Sequence, residues 1–542
     1  MADLTRGRGR PLLVATAALL FVGGCGSCSG RSGADPRSRI PAEASAVFEL
    51  SDLAELPELR TLIEQRFSAV LPAEDLVAAQ AELQRSLGFD PLTEEGLKAA
   101  GLAPAGAVAG YVRDESSAWV LPVADAELAR GTVTRLVQAR AFAEPAEVKV
   151  DGHTLTVYGR AFGEETATVA AFAVESGLGY LGLGPEAEAM VVESLSLSPD
   201  RSVTSVPTYR TLGQALGDDY LARVLFPRVE EGLEQELRRA GTRLPVQLDE
   251  ALVDGTKAAG WQVSADEDGL GMKGRLLLEG EALKAMQALF RTDAELPEGL
   301  RQLDLPGAVI YALVNANPEA VLARVAPPGS PARARLERLY AQMGMSSAIE
   351  ASLTGQLSLA MGLGDLGEVD LRRLFGNPMS TAWTAIGLGV KDPAAFVALS
   401  EETKAKLTER GFEATWVEVG GAEVTRVVSR DDPEVLLVDS FAAPGGVVFA
   451  NERPVTAGIL GLAPGLDPLK RGAGVVVELR LDALSRQLAT FDVNRLPVMF
   501  RSMVGRGLEV LGVFERLAIQ VRPSSSGLAL DGRLGLKATP AP

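Results

Sequence analysis

The feature that most constrains the fold of this chain is an internal repetition of its sequence. The segments Gln262–Leu278 and Gln520–Leu536 carry similar residue types in the same register, 258 positions apart. Each segment alternates apolar and polar residues, turns at a glycine and alternates again, which predicts a β-hairpin. Self-similarity at a fixed offset indicates a repeated structural unit. The chain is therefore expected to build one architecture twice.

Other landmarks recur in the same order along the chain. Ala118-Trp119 is matched with Ala382-Trp383, each expected to open a strand that leads to a helix. Val150-Asp151-Gly152 is matched with Val419-Gly420-Gly421, each expected to form a tight turn between two strands. Each copy is expected to begin with an apolar strand followed by a helix, and these first strands are Ala46–Leu50 and Ala308–Ala312.

Short glycine turns between strands predict antiparallel pairing, and helices between the hairpins place the fold in the α+β class. In the first copy the further predicted strands are Val108–Val112, Ala118–Ala124, Ala146–Val150, Thr154–Gly159, Thr168–Val174 and Leu178–Leu183. The predicted helices are Leu56–Val70, Glu74–Leu87, Asp125–Ala141, Glu186–Leu195, Thr208–Leu216, Val229–Ala240 and Glu281–Phe290, and in the second copy Pro318–Val325 and Val498–Leu517.

The length of 542 residues exceeds what one core usually serves, so more than one domain is expected. The predicted organisation is a signal peptide over residues 1–24, a flexible tether over 25–40, a first α+β copy over 41–296 and a second over 300–538. The tether is predicted from its Gly, Ser, Arg and Pro content.

The N-terminus has the pattern of an export signal. Arg6, Arg8 and Arg10 precede an apolar run that ends in small residues. That run is shorter than the roughly 20 residues a membrane-spanning helix needs. Its last residues, Val22-Gly23-Gly24-Cys25, resemble the bacterial lipobox. The resemblance implies that Cys25 receives a diacylglyceryl group and fatty acyl chains such as palmitate, and becomes the mature N-terminus.

The lipobox resemblance also implies a location. Gly26 and Ser27 follow the cysteine, and by the enterobacterial sorting rule the absence of Asp there favours the outer membrane, facing the periplasm, over the inner membrane. A disulfide between Cys25 and Cys28 in a secreted chain is the competing interpretation. Several acyl chains on one residue give stable anchoring, because each buried CH₂ contributes about 0.8 kcal/mol.

Composition excludes several classes of function. The chain has 53 basic and 71 acidic residues, a net charge of −18 that opposes binding to nucleic acid. Its two cysteines, Cys25 and Cys28, lie ahead of the body, and His153 is the one histidine. Zinc sites built from Cys and His within one chain and a cysteine nucleophile in the body are therefore not expected. A serine hydrolase would have one possible histidine base.

The motifs that suggest a ligand have structural explanations. Gly177–Gly182 and Gly362–Gly367 both fit G-x-G-x-x-G, but neither has the strand-to-helix turn of a dinucleotide site, so structural glycines are predicted. Asp266–Gly269 is acidic like a calcium loop, but Arg275 occupies the position that needs a carboxylate, so a hairpin turn is predicted.

His153 follows a predicted turn and is expected to face solvent without a catalytic role, since the second copy has Ala422 there. Acid pairs such as Asp218-Asp219 and Glu401-Glu402 are interpreted as surface charge. No catalytic, cofactor-binding or metal-ligating residue is predicted, and no cofactor. Cys25, as the site of lipidation, is the single predicted site residue.

The first copy is similar to an uncharacterised family of exported bacterial proteins, known as a domain of unknown function. The similarity rests on Pro41-Ala42-Glu43, Leu87–Leu92, Val150-Asp151-Gly152 and Leu178–Gly184, and spans residues 40–226. It implies export and brings no active site with it.

The leading functional hypothesis is a membrane-anchored, non-enzymatic lipoprotein of the cell envelope that acts as an interaction or scaffold module. The alternative is a periplasmic protein that binds lipid or another apolar ligand in a groove between sheet and helices. A third hypothesis is a hydrolase that uses two converging carboxyl groups. The expected partners are the membrane, through the lipid on Cys25, and an envelope protein or apolar ligand. Whether either copy encloses an apolar cavity would separate these hypotheses.

Overall fold

A computed structural model gives the structure of this chain. It describes residues 35–67, 73–138, 145–162, 165–228, 254–266, 268–291, 295–343, 348–364, 382–393, 407–409, 411–433, 436–461, 473–490 and 498–537. Helices alternate with antiparallel strands, which confirms the predicted α+β class. The chain divides into two compact units. Unit 1 comprises Met1–Arg239, Leu252–Glu279 and Ala538–Pro542, and unit 2 comprises Ala240–Ala251 and Gly280–Lys537.

Ten of the described strands belong to unit 1, and all of their pairings are antiparallel. Their order across the sheet is β4-β5-β6-β7-β3-β2-β1-β8-β9-β10. The strands are β1 Ala46–Leu50, β2 Val108–Arg113, β3 Ser116–Pro122, β4 Ala146–Val150, β5 His153–Phe162, β6 Glu165–Glu175, β7 Leu178–Leu183, β8 Ala222–Phe226, β9 Thr256–Asp266 and β10 Gly269–Leu278.

The described strands of unit 2 repeat this order. They are arranged as β14-β15-β16-β17-β13-β12-β11-β18-β19-β20, again antiparallel throughout. The strands are β11 Ile310–Asn315, β12 Leu353–Leu363, β13 Ala382–Val390, β14 Phe412–Val419, β15 Ala422–Ser429, β16 Leu436–Ala443, β17 Gly446–Ala450, β18 Val475–Leu479, β19 Phe514–Ser524 and β20 Gly527–Leu536.

The two sheets also share their register. One row of paired residues crosses all ten strands of unit 1, namely Glu147, Thr156, Phe172, Leu181, Trp119, Gly110, Phe48, Val224, Trp261 and Gly274. The row at the same place in unit 2 is Trp416, Thr425, Ser440, Phe449, Ile386, Leu359, Ala312, Val477, Ile519 and Gly532. This correspondence is what a duplication would leave, while descent of both units from one ancestor stays a prediction.

The shared register corrects one of the sequence matches. Trp119 lies in the row of Ile386, three residues beyond the predicted partner Trp383. Similar residue types along one strand do not determine its register in the sheet, because the register is set by pairing with the neighbouring strands. The predicted turns do correspond: Asp151 and Gly152 have φ of 51° and 87°, and Gly420 and Gly421 have φ of 59° and 82°. Positive φ at both central residues is typical of a two-residue hairpin turn.

The helices of unit 1 lie on both faces of its sheet. They are α1 Leu56–Phe67, α2 Ala73–Leu87, α3 Glu94–Ala99, α4 Ala126–Gln138, α5 Ala187–Ser196 and α6 Pro207–Leu216. Side chains alternate along β1, so Val47 enters a core with Met190 of α5 and Leu212 of α6. Leu50 packs instead with Leu53 and Leu97 on the opposite face. The predicted helix Val229–Ala240 falls outside the described residues.

The described helices of unit 2 are α7 Gly280–Leu289, α8 Glu298–Arg301, α9 Pro318–Val325, α10 Pro331–Met343, α11 Ala348–Ser352, α12 Arg453–Gly461, α13 Leu481–Leu488 and α14 Val498–Leu511. The predicted helix Val498–Leu517 was too long, because α14 ends at Leu511 and β19 begins at Phe514. Gly512 lies between them, and glycine favours the end of a helix over its continuation. No helix among the described residues is long and apolar enough to cross a membrane.

Candidate functional site: an apolar cavity in unit 1

A cavity of about 510 Å³ lies in unit 1, on the sheet face opposite α5 and α6. All but three of the residues that line it are apolar. The exceptions are Glu49, Thr132 and Arg223. Its volume is within the range of about 300–1,000 Å³ that is usual for small-molecule sites.

The floor of the cavity is the row of paired residues that crosses the sheet. Six members of that row line it: Phe172, Leu181, Trp119, Phe48, Val224 and Trp261. Gly110 lies between Trp119 and Phe48 in this row, and a Cβ on Gly110 would be 2.5 Å from the Trp119 ring. The indole therefore lies flat over the glycine, and its centroid is 5.9 Å from that of Phe48. The sheet thus presents a broad aromatic and aliphatic surface.

The opposite wall comes from α4, from the end of α2 and from the segments that follow α2 and α3. From α4 the lining residues are Ala129, Thr132, Val133, Leu136 and Val137, and from the other segments Leu87, Phe89, Ala100 and Leu102. The end of α3 packs against the start of α4 at Gly101. The Gly101 carbonyl accepts hydrogen bonds from the backbone N–H groups of Ala124 and Asp125.

A side chain at Gly101 would meet the Ala129 backbone nitrogen at 2.3 Å, so this junction requires glycine. Asp125 is the N-cap of α4, since its Oδ1 accepts hydrogen bonds from the backbone N–H groups of Glu127 and Leu128 at 3.0 Å. The start of α4 is therefore fixed by both a close backbone approach and a cap. This fixed start holds the α4 wall of the cavity above the sheet.

The polar groups of the lining are already satisfied or turned away. Thr132 Oγ1 accepts a hydrogen bond from Arg135 at 2.9 Å. The Glu49 and Arg223 side chains point to the other face of the sheet, because Glu49 bonds Tyr209 of α6. The Arg223 side chain points the same way, since its Nη1 lies next to α6, 3.7 Å from where a Cβ on Gly213 would be. The cavity therefore offers almost no hydrogen bonds and suits hydrocarbon.

The volume sets the size of a ligand. An apolar cavity of about 150 Å³ holds one benzene, so 510 Å³ provides room for a hydrocarbon of roughly 18 carbons. Trp261 lines the cavity and is 45% exposed, which places it at the rim. A ligand that enters here would pass this indole.

On the other face of the sheet lies a buried charged network. Glu49 Oε2 accepts from Arg223 Nη2 at 2.8 Å and from Tyr220 Oη at 2.9 Å, while Oε1 accepts from Tyr209 Oη. Burial, followed by the charge of Glu49, raises the pKa of both tyrosines well above the usual value. The network joins β1, β8 and α6 behind the cavity floor, which gives it a structural role. Within the described residues one buried nitrogen of the network, Arg223 Nη1, has no hydrogen-bond partner.

The residues singled out in the sequence are placed as follows. Cys25 lies outside the described residues. Gly179 and Gly182 are packing positions, since a Cβ on Gly182 would lie 2.3 Å from the Ala187 carbonyl oxygen. Gly362 lies against the Trp383 ring in the same way, at 2.5 Å. Asp266 pairs with Gly269 across the β9–β10 turn, which confirms the predicted hairpin.

His153 differs from expectation. Its ring is held between two side chains, with Nδ1 2.9 Å from Glu175 Oε2 and Nε2 3.3 Å from Ser196 Oγ. The side chain of His153 is 20% exposed, so the expectation that it faces solvent is only partly met. Among the described residues there is no cluster of three or more His, Cys, Asp or Glu side chains that could hold a metal ion.

The cavity was not located by the sequence. Its lining comes from β1–β3, β6–β9, α4, the end of α2 and the segments after α2 and α3, which are separated by up to some two hundred residues. The available signal was that both alternating positions of several strands are apolar, as in Leu178–Leu183, which indicates a sheet covered on both faces. That signal predicts burial and not an unfilled space.

Comparisons with known proteins assign no family. No protein-family model matches the sequence, and no curated protein matches it. Among solved structures, crystal form III of TP0453 has a TM-score of 0.24 at 11% identity, over 49% of this chain and 91% of that one. Crystal form I of TP0453 has a TM-score of 0.24 at 10% identity, over 48% and 90%. TM-scores this low carry no argument about fold or function.

Proposed function

We propose that this protein is an exported lipoprotein, anchored through Cys25, that binds an apolar ligand in the cavity of unit 1. The single observation that carries the proposal is the apolar lining of that 510 Å³ space. An interaction or scaffold module has no need for such a space, so ligand binding takes precedence over that hypothesis. The lining also lacks the two converging carboxylates that a carboxylate-dependent hydrolase would need, since Glu49 is its one acidic member.

The ligand is proposed to be an acyl chain or a similarly long hydrocarbon. Each CH₂ moved from water into the cavity contributes about 0.8 kcal/mol, so a long chain gains enough to bind although no polar group orients it. Because the lining offers almost no hydrogen bonds, a polar head group would stay at the rim beside Trp261. Indole rings suit such a boundary, since one edge is polar and the rest is apolar.

The predicted lipid on Cys25 fits this role. An anchor of several acyl chains would keep the cavity beside a membrane, which is a source of long hydrocarbon chains. The sorting rule favours the outer membrane facing the periplasm. The net charge of −18 supports neither nucleic acid nor an anionic surface as the partner.

Native mass spectrometry tests the proposal directly. The chain from residue 25, carrying Cys25→Ser so that no lipid is attached, would be mixed with a saturated fatty acid of about 18 carbons. We expect one bound fatty acid per chain. A spectrum that contains the apo mass alone at saturating ligand would contradict the proposal.

A pair of variants on one helix provides the control. Val133→Trp places a large ring in the cavity and should reduce fatty acid binding at least tenfold, because the ring occupies the space of the ligand. Gly131→Trp lies on the exposed side of the same helix, where a Cβ meets nothing within 4 Å, and should bind like the parent. Binding at the parent level in Val133→Trp as well as in Gly131→Trp would show that the cavity is not the site.

A further inference from the structure

Beyond the cavity, we propose that Ser196, His153 and Glu175 form a hydrolytic triad for esters at the surface of unit 1. Ser196 is the nucleophile, His153 the general base and Glu175 the positioning residue. This site is separate from the proposed ligand cavity and does not depend on it.

The three side chains have the hydrogen-bond arrangement of a serine hydrolase triad. Glu175 Oε2 lies 2.9 Å from Nδ1 of His153, and Ser196 Oγ lies 3.3 Å from Nε2 of the same ring. A carboxylate on one ring nitrogen fixes the imidazole, and the other nitrogen is then free to take the serine proton. Distances in an unliganded site are often slightly long and shorten when substrate binds.

Three separate elements supply these residues, and tight turns fix two of them. His153 opens β5 directly after the Asp151-Gly152 turn, and Glu175 closes β6 directly before the Ser176-Gly177 turn. Both turns have positive φ at their two central residues. Ser196 is the last residue of α5 and is exposed, so a substrate carbonyl can reach its hydroxyl.

The Arg39 guanidinium binds the main chain on both sides of Ser196. Arg39 Nη1 donates to the carbonyl oxygens of Leu195 at 3.4 Å and Leu197 at 3.1 Å, one on each side of Ser196. Arg39 Nε is buried and has no hydrogen-bond partner within the described ranges. These two hydrogen bonds fix the backbone on both sides of Ser196, so Arg39 is a positioning residue for the nucleophile.

The proposed reaction is ester hydrolysis in two steps. Ser196 Oγ attacks the carbonyl carbon while His153 Nε2 takes its proton. The C–O bond to the alcohol then breaks, and the alkoxide leaves as the alcohol with that proton. Water attacks the acyl-serine by the same proton route, which releases the carboxylic acid and restores Ser196. One ester and one water thus give one acid and one alcohol.

At the two corresponding positions of its described strands, unit 2 has neither the base nor the carboxylate. The shared register places Ala422 at the position of His153 and Ala443 at the position of Glu175. The activity is therefore expected from unit 1. Because Glu175 is 51% exposed, water competes with it for the hydrogen bond to His153. The histidine is therefore a weakened base, and the expected substrates are small or activated esters.

A serine-directed fluorophosphonate tests the triad on the full chain. Its phosphorus bonds to the serine oxygen as fluoride and the serine proton leave. Peptide mass spectrometry should find the adduct at Ser196, and Ser196→Ala should remove it, whereas Ser198→Ala should keep it. The absence of an adduct at Ser196 in the parent protein would overturn the proposal without relying on any variant.

The rate of labelling then tests the roles of the partners. His153→Asn should slow labelling and the hydrolysis of p-nitrophenyl acetate by about 10²-fold or more, as removal of a general base does. Glu175→Gln should slow both less, and Glu175→Asp should restore part of the rate, which a purely structural role would not do. Labelling of Ser196 at the parent rate in His153→Asn would overturn the triad.

Discussion

The two units have the same strand order and register but keep their buried charges in different places. In unit 1, Glu49 on β1 pairs with Arg223 on β8, and the corresponding pair in unit 2 is Leu313 and Val476. In unit 2, Arg426 on β15 pairs with Asp439 on β16, and the corresponding unit 1 pair is Val157 and Ala171. Each buried ion pair thus occupies a position that is apolar in the other unit.

The difference shows that the strand pairing of each sheet does not depend on either ion pair. A buried ion pair costs desolvation that its attraction only partly offsets, so an apolar pair can replace it without loss of the fold. What the pair adds is a connection to a third element. Glu49 reaches Tyr209 on α6, and Asp439 accepts from Thr456 Oγ1 on α12 at 2.9 Å.

The largest expected effect comes from giving unit 1 the residue of unit 2 at Glu49. Glu49→Leu leaves Arg223 charged, buried and without its carboxylate, and should lower the free energy of unfolding by about 3–5 kcal/mol. Glu49→Leu/Arg223→Val should recover only part of this loss, because Tyr209 and Tyr220 still lose their acceptor. Chemical denaturation measures both. Full recovery in the double variant would show that the tyrosines do not depend on the carboxylate.

The reciprocal exchange in unit 2 should have a smaller effect. Asp439→Ala removes two hydrogen bonds from Arg426, each of 2.8 Å, but the arginine side chain is 18% exposed and can reach water. We expect a loss of about 2–3 kcal/mol in unfolding free energy. Arg426→Val/Asp439→Ala reproduces the unit 1 pair and should recover most of it. A double variant no more stable than Asp439→Ala would contradict the interchangeability of the two pairs.

The smallest expected effect depends on pH. Burial raises the pKa of Glu55 in unit 1 to about 7, against a hydrogen bond from Ser51 that lowers it. A raised pKa means that the folded state holds the proton more tightly, so stability falls as pH rises from about 4.5 to about 7. Glu55→Gln should remove that fall and stabilise the protein at pH 8 by roughly 1 kcal/mol, because partial exposure screens the carboxylate.

Thermal unfolding between pH 4.5 and 8 measures this slope. Glu452 in unit 2 is the matched case, since burial raises its pKa as well, and Glu452→Gln should change the slope in the same direction. A pH slope that is unchanged in Glu55→Gln would show that this carboxyl is not buried in solution.

The periodic parts of the fold were predictable, and the sites were not. Alternation and glycine turns predicted Ala146–Val150 and Leu178–Leu183 with the bounds that the structure has, because these signals are local. The match of Trp119 with Trp383 was wrong because register depends on neighbouring strands. His153 meets Glu175 and Ser196 only after two hairpins and α5 have packed, and no local pattern encodes that meeting.

Fluorescence of the four tryptophans of the chain tests whether an acyl chain binds in the unit 1 cavity. Trp119 and Trp261 line the unit 1 cavity, whereas Trp383 and Trp416 belong to unit 2. A brominated fatty acid of about 18 carbons quenches indole fluorescence at short range. Its saturable quenching should occur in Trp383→Phe/Trp416→Phe and be absent in Trp119→Phe/Trp261→Phe. Equal quenching in both variants, or none in either, would contradict binding in the unit 1 cavity.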